Sequence, residues 1–482
     1  VALLRQQIEP VSQAALATFL PRWHGIGAHA STRLRGADGV LQAVRAMAGV
    51  AVPASALEES ILPVRISGYT PAMLDELTSA GEILWTGSAP LPGGDGWIAL
   101  APADVGYLLP RSADLPSGQV ASELLGLLRS GGGWFLGDLR NRISHLDLDS
   151  AAVAQGLLDL LWAGLVSNDT IEPMRAMRDR SRGGRRRSTP AAGQRPRRPA
   201  RGRYADLWHR PTDAQGVGAA EARAAQPWSA GPAGPGATGV IAGRTGRAPE
   251  LPGRWCALPA DLPPREVVAV ARAEAHLDRL GIVTRGAVLA SGDPGGFASA
   301  YRTLSMMEER GRVQRVYAVE GLGASQFALA GVVDQVRAVE RELADGRGDQ
   351  LLLATADPAN PYGAALEWPS SDWAGGSGSP HRPSRGAGCH VVLAGGLPVL
   401  YAERGGHTLL TFTHEAESDA AAQLSMAARL LHDSVRSGAI GPLTITRVNG
   451  SEVMQPGTSD HVRQALESAG FALTPRGYRV PR

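Results

Sequence analysis

The sequence predicts an α+β chain: tandem winged-helix units followed by a small, barrel-like α+β domain. Three observations carry that reading. An amphipathic helix ending in glycine and followed by a β-rich run occurs three times, each copy preceded by two further helical stretches. From Gln350 onward the pattern changes to short aliphatic and β-branched runs parted by Gly-rich turns. The span 173–250 is rich in Arg, Gly, Pro, Ala and Ser and holds too few aliphatic residues to bury a core.

The chain opens with Val1 and reads at once as a helix with a packed face, so residues 1–30 are expected to end a preceding helical or winged-helix unit of a longer protein. In the first full unit, 31–112, helices are predicted over 39–48 and 54–62. Thr70 caps a third helix with Pro71 at its first position. Its hairpin pairs 82–86 with 97–100 around a turn at 91–96. The second unit, 113–172, has helices over 119–130 and 135–143 and a third opened by Asp149 and ending Leu161, Trp162, Ala163, Gly164. The third, 252–345, has helices over 265–280 and 284–290 and one opened by Asp293 and Pro294 and closed by Gly311. Three helices and a hairpin make a winged helix, which often sets its third helix against DNA but also serves for packing and protein contacts. The last unit, 346–482, should hold strands at 351–354, 390–393, 399–402 and 408–413. Helices over 416–437 and 459–468 bracket a strand at 443–448, a last strand lies near Tyr478, and 372–388 forms a flexible loop.

All 48 basic residues are arginine, and no lysine occurs. The P-loop pattern therefore cannot be completed, and Schiff-base chemistry through a lysine amine is excluded. A GC-rich coding sequence explains the bias, yet guanidinium forks also suit phosphates and bases. The span 173–251 is expected to be a disordered linker; 173–250 carries 16 arginines against 5 acids. Within it Arg185, Arg186, Arg187, Arg197 and Arg198 can hold phosphates without reading sequence, or simply solubilise a linker. Cys256 and Cys389 are isolated and no histidine pair has metal-ligand spacing, so no metal site is expected. No apolar stretch is long enough to span a bilayer, and the chain reads as intracellular, without membrane partners.

The densest set of functional side chains is the run Asp357, Pro358, Ala359, Asn360, Pro361, Tyr362, followed by Glu367 and Trp368. Two prolines preset the backbone, so these groups should sit at a rigid corner. Ordinary turn chemistry explains the same residues. The wing of the third unit, with its glycines and Gln326, is one helix away and could face this corner across a cleft.

The segments DPANPYGAALEWP at 357–369, VEGLGASQFAL at 319–329, LATFLPRWHGIG at 16–27, TPAMLDELTSAGEILWTG at 70–87 and ESAGFALTPRGYRV at 467–480 resemble the C-terminal domain of the bacterial large helicase-related (Lhr) family. The resemblance covers the chain apart from the arginine-rich span. It implies an ATP-dependent DNA helicase whose motor precedes this segment and holds the ATP and Mg, with no cofactor in this chain. It further implies tandem winged helices, a barrel module similar to AlkZ-type DNA glycosylases, a role in DNA repair with uracil excision, DNA as partner (single-stranded or damaged), homo-oligomers, tetramers among them, and a bacterial cytoplasmic, nucleoid-associated location. The Q-x-Q motif of the AlkZ type is absent. On this reading Asp357 positions water or steadies an oxocarbenium-like sugar, Asn360 and Gln326 orient water or base, and Tyr362 and Trp368 stack on the extruded base beside Glu367. The alternatives are a non-catalytic structural and oligomerisation platform and a winged-helix transcription regulator.

Overall fold

A computed structural model describes residues 9–27, 33–187, 249–369, 382–412, 420–454 and 460–481. In the first winged helix, α2 (Gly36–Ala46) is followed by a continuous helical run, Ala54–Ala56, a π turn at Leu57–Ile61 and Leu62–Arg65, and then by α3 (Pro71–Ser79). The hairpin strands β2 (Ile83–Leu91) and β3 (Asp95–Pro102) form a sheet with β1 (Ala51–Pro53) in the order β1-β3-β2. A register shift between Gly87 and Ala89 lets the pairing run on to Leu91 opposite Asp95, so the wing is longer than its hydrophobic alternation predicts. Trp85, Leu74 and Ile98 are fully buried where helices meet sheet.

The second unit contains α4 (Gln119–Arg129), α5 (Leu136–Arg142) and α6 (Ser150–Trp162). The Asp149 carboxylate accepts the Ala152 N–H at 2.7 Å, the cap read from the sequence. Its strand β4 (Val166–Asn168) pairs with β5 (Trp255–Ala257), which lies beyond the arginine-rich span. The boundary expected at 251/252 is thereby corrected: Trp255 exchanges backbone hydrogen bonds with Trp134 at 2.8 and 2.9 Å and belongs to the second unit. The linker expected from residue 173 likewise begins as a helix, α7 (Glu172–Arg187). Met174 and Met177 are buried, and Arg175 pairs with Glu58 at 2.7 Å and Asp75 at 2.6 Å. Average composition concealed this one docked face. Arg185, Arg186 and Arg187 lie in α7, whereas Arg197 and Arg198 fall outside the described residues.

The third winged helix is built from α8 (Arg265–Leu280), β6 (Ile282–Val283), α9 (Arg285–Ser291), α10 (Gly296–Glu309), β7 (Gln314–Val316) and β8 (Gln326–Ala328), with strand order β6-β8-β7. Gly295, not Asp293, stands at the N-cap of α10.

After α11 (Val332–Ala344) comes a six-stranded sheet of β9 (Gln350–Ala354), β10 (His390–Ala394), β11 (Leu397–Ala402), β12 (Thr408–Thr411), β13 (Arg447–Val448) and β14 (Ser451–Glu452), paired in chain order. Among the described residues β9 and β14 do not pair, so the barrel-like expectation is corrected to an open sheet. Helices cover both faces and remove the need for closure. Val392, Leu400 and Leu409 pack on α12 (Ala420–Arg436) and α13 (Asp460–Ala469). Val391 and Leu393 face α11 and the N-terminal helix α1 (Gln13–Trp23). Alternate residues thus serve opposite cores, which is why these strands read as unbroken apolar runs. The N-terminal helix, expected to close a preceding unit, is seated here, with the Val11 N–H donated to Ala318 O at 2.7 Å. A β-hairpin, β15 (Ala472–Thr474) and β16 (Gly477–Arg479), completes the described chain.

Candidate functional site

The corner at Asp357 is rigid, as its prolines predict, but its polar groups are spent on the fold. Asp357 is 1% exposed and receives both forks of Arg65, at 2.7 and 2.8 Å, and the Ala359 N–H at 2.7 Å. Arg65 holds the carboxyl below its usual range against the opposing effect of burial. With both oxygens occupied and no access to solvent, this carboxylate is a joint between the first winged helix and the sheet unit rather than a base for water. Asn360 donates to Thr355 O at 2.9 Å and to Tyr362 O, and accepts from the Tyr362 N–H. Tyr362 donates its hydroxyl to Gly396 O at 2.9 Å, and Trp368 is stacked between Tyr362 and Phe412. Neither ring offers a free face to a base. Glu367 is exposed and makes no side-chain hydrogen bond or ion pair among the described residues. Gln326, expected to orient water, staples the wing turn, accepting the Ala318 and Val319 N–H groups and donating to Val319 O and Gly323 O.

The corner nevertheless forms part of a cavity of about 770 Å³. Pro358, Asn360 and Pro361 line one side, the wing residues Gly87 to Pro90 and Trp97 another, with Trp162 at the back. Gly87 and Gly96 make room for the Trp162 indole, since a Cβ at either position would strike its ring. A cavity of this size suits a nucleotide-sized ligand.

On the wall formed by α8 and the loop after α9, His276, Arg279, Ser291 and Asp293 converge. His276 Nε2 lies 2.5 Å from Asp293 Oδ2, and Arg279 Nη2 lies 2.7 Å from His276 Nδ1 and 3.1 Å from Ser291 Oγ. A guanidinium can only donate, so Nδ1 accepts and Nε2 carries the proton given to Asp293. Burial pushes the His276 imidazole below its ordinary value, while the Asp293 carboxyl lies below its own, held down chiefly by the hydrogen bond from His276 against burial. The pair is therefore a neutral imidazole and a carboxylate at neutral pH. Asp293 retains 25% side-chain exposure, against 3% for His276. Of the described carboxylates that line the cavity, Asp114 and Asp293, it is the one with a buried hydrogen-bonded support.

Sequence reading missed this set because Asp293 looked like a helix cap. The available signal was His276 and Arg279 at i and i+3 on one helix face, followed by a Gly-Asp-Pro-Gly loop. Among the described residues no group of three His, Cys, Asp or Glu has the arrangement to hold a metal, and no helix is long and apolar enough to cross a membrane.

Comparison with known proteins places these units. Residues 11–103 and 263–348 match the models of two winged-helix domains of large helicase-related protein, the third and the fourth. The chain is 39% identical over 486 residues to the Lhr helicase/probable uracil glycosylase of Mycolicibacterium smegmatis, covering 100% of this chain and 29% of that protein. It is 30% identical over 482 residues to the Lhr helicase/uracil glycosylase of Escherichia coli, covering 98% of this chain and 28% of that protein. The chain thus spans less than a third of the length of these curated relatives. The solved Streptomyces sahachiroi DNA glycosylase AlkZ covers 91% of this chain at a TM-score of 0.44 and 12% identity, a likeness on which no chemistry is argued. With two family winged-helix domains in place and relatives matched along its whole length, the chain belongs to the Lhr family, as the C-terminal part of such a helicase.

Proposed function

We propose that this chain is the DNA-binding and DNA-repair part of an Lhr-type helicase, and that its central cleft receives one nucleotide drawn out of a strand for hydrolysis of its N-glycosidic bond. The observation that carries this reading is the supported, solvent-reaching carboxylate of Asp293 in a nucleotide-sized cavity. The names of the two relatives, both of which include uracil glycosylase, support the same chemistry.

In this scheme the C1′–N bond breaks with its electron pair leaving on the base, and the Asp293 carboxylate faces the positive charge that develops on the sugar. A water oxygen bonds to C1′, its proton passes to Asp293, and the departing base takes a proton from solvent. Arg279 and His276 keep the carboxylate oriented. Lysine is absent, so the reaction is monofunctional and borohydride traps no covalent complex at an internal residue. ATP and Mg belong to the motor of the longer protein, and this chain brings no cofactor of its own to the scheme. The arginines of 185–198 supply salt-sensitive phosphate contacts, homo-oligomers form, and the protein works in the bacterial cytoplasm.

The test is excision of uracil from a single-stranded oligonucleotide by Asp293→Asn. Asparagine still accepts from His276, so the chain should fold and bind DNA as before with only a small drop in melting temperature, while excision falls on the order of 10²-fold. Unchanged excision would remove Asp293 from the chemistry. The buried Arg65–Asp357 joint favours a second reading, a non-catalytic platform that fixes the winged helices to the sheet. That reading stands if the wild-type chain excises nothing across a panel of damaged bases.

A further inference from the structure

We infer a second nucleic-acid site on the outer face of the third winged helix: an open groove between α9 and α10 that binds single-stranded nucleic acid through one unstacked base and its flanking phosphates. This rests on the reading that the chain binds DNA, not on the excision scheme. The groove has a volume of about 760 Å³ and lies across α9 from the central cleft. Ala287, Ala290 and Ser291 of α9 line the cleft, whereas Arg285 and Leu289 line the groove.

Its floor is apolar and aromatic, with Phe297 and Tyr301 at ring centroids 5.8 Å apart and Leu289 and Met306 left 37% and 41% exposed. Arg285 and Arg302 stand at its rim, both exposed, and neither makes an ion pair among the described residues. Their neighbours differ: Arg312 is held by Glu274 at 2.8 Å and Arg315 by Glu308 at 2.6 Å, with Arg315 also covering the Tyr301 ring. Two uncommitted guanidinium groups over a concave aromatic floor match phosphate capture combined with base stacking. A duplex fits poorly. The exposed stripe of α10 runs Ala298, Arg302, Met306, Glu309, so a methionine and a carboxylate would meet the backbone where a major-groove helix needs donors. A strand lying in this groove is one helix width from the cleft, which would receive the next extruded nucleotide.

The experiment is fluorescence anisotropy of the whole chain with a labelled oligo(dT) of about 15 nucleotides, a length spanning a typical single-strand site, over a range of salt. Loss of two phosphate contacts in Arg285→Ala/Arg302→Ala should weaken binding about tenfold and flatten the slope of log K against log salt by about 1.4. Phe297→Leu, which keeps an apolar side chain against the core, should weaken binding about fivefold by removing a stacking face. Unchanged affinity and slope in the double variant would overturn the site, and so would an equal loss on a duplex of the same length. Undamaged DNA is the probe, so an inactive wild type leaves this result standing. Conversely, excision by the double variant restored at saturating DNA would separate the groove from the Asp293 chemistry.

Discussion

Arg65 and Asp357 are each 1% exposed and lie 292 residues apart in sequence, which makes their pair the most deeply buried charge contact described in the chain. Removing one partner strands the other charge in a medium that solvates it poorly. Asp357→Asn should therefore cost about 3–5 kcal/mol, read as a drop in the urea midpoint, whereas Arg65→Met with Asp357→Leu should recover most of that loss. Equal stability of Asp357→Asn and wild type would return this carboxylate to the list of catalytic candidates. A much smaller loss is expected of Asp293→Asn, whose partner remains hydrogen-bonded and whose side chain already meets solvent. At this scale the sequence announced a rigid polar corner, and the corner is there, lining the cleft with Pro358, Asn360 and Pro361. It could not announce the roles. Those depend on Arg65 arriving from a helix in another unit and on His276 facing a loop 17 residues further on.

At the scale of elements, local signals placed helices well: the predicted span 265–280 is α8 (Arg265–Leu280), and Asp149 caps α6. They failed where an element depends on a distant strand. Three-residue β5 has no hydrophobic period of its own and is a strand only because β4 and the Trp134 backbone stand beside it. Trp255 is fully buried there, so Trp255→Ala should destabilise the second unit by about 3–5 kcal/mol through the cavity it leaves. Hydrogen exchange would locate the loss in α4, α6 and β4, and uniform protection in the variant would contradict the split wing. Helix α7 gives the same lesson from the other side. Its arginines read as linker, yet Arg175 finds Glu58 and Asp75 on the first unit and the helix docks.

For the molecule as a whole, three of the buried histidines, His24, His276 and His390, set the response to acid. Burial lowers His24 to about 3 and His390 to about 4, and it lowers His276 as well. In each case the unfolded chain binds the proton more readily, so stability is full above the ordinary histidine value and declines as pH falls below about 6.5. His24 alone should contribute a loss of about 1.4 kcal/mol per pH unit across that window. Asp357 and Asp293 are depressed too, and their contribution is lost only below the ordinary carboxylate range. The thermal midpoint should hold steady above pH 7 and fall between pH 6.5 and 4. A midpoint flat over that interval would mean that these rings are not buried as neutral groups.

Composition and periodicity by themselves determined the class of this protein: helices in triplets with wings, an apolar sheet after them, and a lysine-free chemistry. Those properties are local, because helix caps, alternation and residue type act over a few neighbours. Tertiary structure alone decided that the sheet stays open, since helices from both ends of the chain cover its two faces. It also decided which carboxylate is buried as a joint and which reaches a cavity, because burial and partner are set by residues far away in sequence.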